Sequence, residues 1–189
     1  MHKDYSDEDH NSVCFVGQKT YSVQTCHLFY TTYDLQQNSD TINPQMHPDI
    51  MLRSPETKEG AEAYWYARVI GVYHANVWVE RTDIPDPWRV KRMDFLWVRW
   101  FGRDLDYKAG WKAKRLHRLG FLSEDRGPFG FLDPNEVIRG VHLIPTFAYG
   151  RTSDILGPSI ARQPHENDED WTFYYVNPYV KPIKHYDYN

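Results

Sequence analysis

The most regular pattern in the chain is the alternation over residues 64–79, YWYARVIGVYHANVWV. Trp65, Ala67 and Val69 take one side and Tyr64, Tyr66 and Arg68 the other, a period of two that predicts a half-buried strand. Gly71 predicts a bend or bulge inside it. A second alternation, MDFLWVRWFG, puts Leu96, Val98 and Trp100 on one face and Phe95, Trp97, Arg99 and Phe101 on the other. Upstream, residues 13–35 are rich in Val, Thr, Tyr and Phe and broken at Gly17, which predicts two strands around a turn. QQNSDTINPQMHPD reads as a run of turn formers. IMLRSPETKEGAEA predicts a short strand, a turn at Ser54 and Pro55, and a polar loop, and DIPDPW is a rigid connector.

Downstream, residues 104–122 lack an apolar stripe and predict a short helix or an irregular loop. Asp133, followed by Pro134 and by Glu136 at the third helical position, predicts a capped helical turn ahead of a strand at Val141 to Ile144. WTFYYVNPYV supplies a final strand after the acidic HENDED. Short aromatic and β-branched strands with long insertions point to a mainly β, partly open barrel with short helical turns and long loops. No linker-like stretch divides the chain, so one domain is expected over residues 13–183, after a disordered acidic segment at 1–12 and before a tail at 184–189. A chain of 189 residues and 22.5 kDa hides about 70% of its extended surface on folding, enough for a core without disulfides or metals.

Charge and composition sharpen this picture. Aromatics are 16% of the residues, from 14 Tyr, 9 Phe and 7 Trp, an excess that calls for burial or recognition. The net charge of −4 argues against wrapping nucleic acid over the whole surface. The stretch from Trp88 to Arg118 departs from that average, with ten Lys and Arg against three Asp, a local +7. Lys108, Lys112, Lys114, Arg115 and Arg118 in it are the candidate anion-binding residues. Two cysteines exclude a disulfide-dense scaffold. No run approaches the roughly 20 apolar residues of a membrane helix and no apolar leader follows Met1, so a soluble intracellular protein without membrane partners is expected.

Catalytic and metal signals are weak. Cys14, Cys26 and His27 lack the close paired spacing of common zinc sites, so no metal ligand set is assigned. Asp133, Glu136, Arg139 and His142 form a grouping with acid–base capacity. The same spacing serves a cap and a solvated face, and no HExxH, GxSxG, phosphate-loop or dinucleotide motif accompanies it. No catalytic residue and no cofactor is therefore assigned. Tyr64, Tyr66, Trp97 and Phe101 share the second faces of the two strongest strands, so pairing of those strands would gather them into a groove for a cationic or apolar peptide side chain.

Two resemblances bear on this groove. YTTYD with DTINPQMHPDIM, YWYARVIGVYHANV, MDFLWVRWFGRD, GFLDPNEVIRGVHLIPTFAYG and YYVNPYV, over roughly residues 20 to 183, resemble in that order a terminal module of large proteins encoded by transposable elements of mushroom-forming fungi. The chain also resembles a bromo-adjacent homology domain, at Asp49 to Leu52, Tyr64 to Tyr73, Val98 to Phe101, Ile138 to Ile144 and Phe173 to Tyr179. That second resemblance implies an SH3-like barrel with a chromatin-interaction role in the nucleus. It places an aromatic wall at Trp100 or Phe101 with Tyr64 or Tyr66, although Gly102, Arg103 and Asp104 stand where the family frequently has Arg, Pro and an acidic residue. Together the resemblances imply a non-enzymatic module of a fungal transposon-derived protein. Its partners would be a protein or histone peptide, with possible nucleic-acid backbone contact inside a larger assembly. A nucleic-acid-processing enzyme domain and a structural oligomerisation module are the alternatives.

Overall fold

The computed structural model describes residues 12–31, 37–56, 63–79, 90–110, 113–163 and 166–177. The expected disordered segment at 1–12, but for Ser12, the DIPDPW connector, residues 178–183 and the tail at 184–189 lie outside the described residues. Among the described residues thirteen strands run in chain order: β1 (Val13–Val23), β2 (Cys26–Thr31), β3 (Gln37–Ile42), β4 (Asp49–Arg53), β5 (Tyr64–Val79), β6 (Lys91–Arg103), β7 (Arg118–Phe121), β8 (Phe129–Leu132), β9 (Val137–Gly140), β10 (His142–Pro145), β11 (Arg151–Thr152), β12 (Asp170–Trp171) and β13 (Tyr174–Asn177). Nine of them form one sheet whose path, β10-β13-β7-β6-β5-β4-β9, makes a near-closed barrel, with β1 added beside β5 and β8 beside β6. The fold is mainly β with short 3-10 turns.

The two long antiparallel strands β5 and β6 form the spine. Each is long enough to change its outer neighbour halfway: β5 pairs β4 over Tyr64 to Arg68 and β1 over Val72 to Val79, while β6 pairs β8 over Leu96 to Arg99 and β7 over Phe101 to Arg103. The bulge expected at Gly71 is present as a register shift between Val69 and Gly71. It inverts the alternation, so Val69 and Val72 face the same core. That core lies against one face of the spine and gathers Ala67, Val69, Leu96 and Val98 with Ile50 and Leu52 of β4. The β2–β3 hairpin contributes Leu28 and Ile42 to it.

A second core covers the opposite face at the β7 end, where Phe101, Leu119, Phe121, Leu143, Tyr174 and Val176 pack together. It is built around guanidinium groups. Arg68 makes a two-pronged contact with Asp49, at 2.8 and 3.1 Å, beneath the rings of Phe101, Phe121 and Tyr174. Arg99, 3% exposed, donates to both oxygens of Asp170 at 2.8 Å, and its carbon sits 3.8 Å from the Phe121 ring centre. Arg162 approaches the same carboxylate at 3.1 and 3.2 Å, so one buried Asp holds two cations. Ion pairs this deep stabilise little in net terms, but removing one partner leaves a buried charge uncompensated.

Two expectations near the N-terminus are corrected. Gly17 does not separate two strands: with φ of 63° it sits inside β1, where pairing to β5 lapses between Phe15 and Thr20. Glycine suits that left-handed position because it has no Cβ to clash. The segment assigned to turn formers contains β3, whose polar sequence QNSDTI pairs with β2. Asp40 accounts for that strand, since it is 9% exposed and accepts from Gly140 N at 2.9 Å and Tyr30 Oη at 3.2 Å. The capped turn at Asp133 forms as expected, over Pro134–Glu136, with the Asp133 carboxylate accepting from Asn135 N at 2.9 Å.

Candidate functional site

A cavity of about 570 Å³ opens where β5 begins and β6 ends. Strand register builds it, by setting Tyr66 opposite Phe101, Ala67 opposite Trp100 and, across β7, Phe121 opposite Phe101. Its walls are Tyr64, Trp65, Tyr66, Trp100, Phe101, Leu119 and Leu122. Among the described residues, Arg103, Arg126, His117 and Glu56 also line it. A space of this size with aromatic walls and a few converging polar groups suits a ligand side chain or a short segment.

The walls differ in how firmly they are held. Trp100 is half-buried, edge-on to Trp65 at 5.8 Å. Its backbone N–H donates to Pro128 O at 2.7 Å and its carbonyl accepts from Leu122 N at 3.1 Å, so the main chain at Trp100 is fixed on both sides. Phe101 is 7% exposed, stacked on Phe121 at 4.1 Å and edge-on to Tyr174 at 5.5 Å. Tyr66 is half-buried, and burial, with Tyr64 adding to it, raises its phenol above the ordinary range. Tyr64 is 47% exposed at the mouth. His117 is held below the ordinary imidazole range by burial and by the nearby Arg103 charge, which makes the neutral ring the resting form at neutral pH.

Four of the five aromatic candidates, Tyr64, Tyr66, Trp100 and Phe101, thus line one space, and Trp97 does not. Trp97 packs 6.0 Å from Phe129, in a separate aromatic row on the outer face of β5, β6 and β8. The expected opposition of Trp100 and Phe101 across the strand is present, and both faces are covered there. Phe101 is a core residue that also walls the cavity. Arg103, His117 and Arg126 are cavity groups that the sequence reading passed over. Arg103 lies two residues past Phe101 and His117 two before Leu119, so strand alternation was the available signal.

The basic segment is also divided. Lys108, Lys114 and Arg115 are exposed, and Lys112 lies outside the described residues. Arg118, grouped with them as an anion-binding candidate, is 9% exposed: its Nε donates to Asp104 at 2.7 Å, and Tyr107, Tyr149 and Phe173 surround its guanidinium at 4.2, 4.7 and 4.4 Å. The acid–base grouping likewise has local roles. Asp133 caps its turn, Arg139 approaches Asp40 at 3.7 Å, and His142 sits on β10 opposite Asn177. Cys14 and Cys26 are free thiols on β1 and β2, and the His27 ring contacts Thr41 Oγ1 at 3.1 Å. Among the described residues no group of three or more His, Cys, Asp or Glu is arranged to hold a metal ion, and none of their helices is long and apolar enough to cross a membrane.

Comparison with protein-family models, with curated proteins and with solved structures found no match to this chain.

Proposed function

We propose that the chain is a non-enzymatic recognition module that takes an acidic protein segment, anchored by an apolar side chain, in the cavity framed by Tyr64, Tyr66, Trp100 and Phe101. The observation that carries this reading is the convergence of those four rings on one space that the exposed Arg126 also lines. Aromatic walls supply apolar burial and the Arg126 guanidinium supplies charge-assisted hydrogen bonds to a carboxylate. A methylated or unmodified lysine of a histone tail is disfavoured at the same place, because it would meet like charge. The exposed Lys108, Lys114 and Arg115 extend the basic surface and would steer an acidic partner or touch a nucleic-acid backbone in a larger assembly. The resemblances to a bromo-adjacent homology domain and to a fungal transposable-element module support an SH3-like barrel acting on chromatin in the nucleus.

A peptide array with acidic, basic and methyl-lysine sequences tests the reading. Binding should concentrate on acidic sequences containing a Leu, Phe or Tyr, and should weaken at least tenfold for Tyr64→Ala. Preference for basic or methylated sequences would overturn it.

A further inference from the structure

A second aromatic group lies outside both cores and outside the cavity. Tyr73 stacks on Phe95 at 5.6 Å, Phe95 meets Phe131 edge-on at 5.7 Å, and Trp97 packs on Phe129 at 6.0 Å. Register makes these rings neighbours across three strands: Tyr73 is opposite Phe95 and Trp97 opposite Phe131. Met93, two residues before Phe95, continues the row and is 40% exposed, and Phe131 is 72% exposed. Neither hydrophobic core includes any of them.

Among the described residues the face is poor in charge. Along β6 the residues on it are Lys91, Met93, Phe95 and Trp97, so one lysine stands at its edge, while Arg92 and Asp94 alternate to the other side and pair with each other at 2.8 Å. A single described lysine on a chain of net charge −4 gives no phosphate-tracking groove, which argues against single-stranded nucleic acid stacking here. A face depleted of charge matches an identical face, because a two-fold pairing buries ring against ring without burying an unpaired ion.

Area sets the strength. With about 200 Å² per large side chain, the exposed portions of Phe131, Met93 and the four half-buried rings come to roughly 350 Å² per copy. An interface is a little over half apolar, so a surrounding polar rim brings this to about 600 Å² per copy. About 1,200 Å² in total is the lower bound for specific complexes and corresponds to a weak, reversible pair. We propose that two copies of this chain associate through the Tyr73–Phe95–Phe131–Trp97 face as a weak symmetric dimer, on a surface separate from the cavity.

Sedimentation of the full chain from 5 to 500 µM should show a shift from monomer to dimer, with a dissociation constant on the order of 100 µM. Phe131→Glu should keep the chain monomeric throughout, with an unchanged melting curve because the side chain is already exposed. Ile160→Glu, at a position 92% exposed elsewhere, should dimerise like the unaltered chain. Monomer at every concentration, or dimerisation that survives Phe131→Glu, would overturn the proposal. So would binding of a single-stranded oligonucleotide that needs Phe131 in a chain that never dimerises.

Discussion

Gly130 lies directly beneath the Trp100 indole: a Cβ on it would stand 2.7 Å from Trp100 Nε1 and 3.3 Å from Cε2. The pair joins β8 to the cavity wall, since Trp100 is also held edge-on by Trp65 at 5.8 Å. Gly130→Ala should therefore cost about 1 to 3 kcal/mol, as overpacking does, and should displace a cavity wall at the same time. Chemical denaturation measures the first effect and peptide titration the second. A Gly130→Ala chain with unchanged stability would show that the indole moves freely.

Trp100 and Phe101 should differ in how much each contributes to stability. Phe101→Ala removes a ring 7% exposed that stacks on Phe121 and covers the Arg68 guanidinium, so a loss of about 3 to 5 kcal/mol is expected. Trp100→Ala, at a half-buried site, should cost about 2 to 3 kcal/mol while weakening ligand binding. Denaturant midpoints of the two variants check the ranking.

The spine was legible in sequence because both long strands carry a period-two pattern and Gly71 marked the bulge. What could not be read was the occupancy of the second face. Arg68, Arg99 and Arg118 look like solvent-facing residues until their carboxylates are known, and those carboxylates are distant in sequence, 71 residues for Arg99 and Asp170. Strand β3 was hidden for a related reason, since its polar residues are organised by Asp40 reaching Gly140, 100 residues away. Trp97 was grouped with the cavity aromatics because alternation assigns a face and not a position along it. The face is continuous, but the second core divides the cavity end from the Trp97 end.

Arg118 and Arg115 provide a direct contrast. Arg118→Ala breaks the Asp104 pair and empties the space among Tyr107, Tyr149 and Phe173, so a loss of about 3 kcal/mol is expected. The exposed Arg115 should change stability by less than about 0.5 kcal/mol when replaced by Ala. Thermal unfolding of both variants, with salt titration of ligand binding for Arg115→Ala, separates the structural cation from the surface one.

His117 should make the fold sensitive to mild acid. Its pKa in the folded chain is depressed by burial and by Arg103, so the unfolded chain binds the extra proton first as pH falls. Stability is complete above the ordinary imidazole range and is lost progressively as pH drops through it toward the lower folded value. His117→Gln should reduce the difference in denaturation midpoint between pH 7.5 and 5.5. An undiminished difference would assign the acid sensitivity to other groups.

Calorimetric titration of an acidic, Phe-containing peptide into the unaltered chain, Tyr64→Ala and Arg126→Glu tests the recognition site most directly. The account predicts saturable binding to the unaltered chain that weakens steeply with salt, and at least tenfold weaker binding for each variant at unchanged melting temperature. Binding of equal strength to all three chains, or binding indifferent to salt, would contradict it.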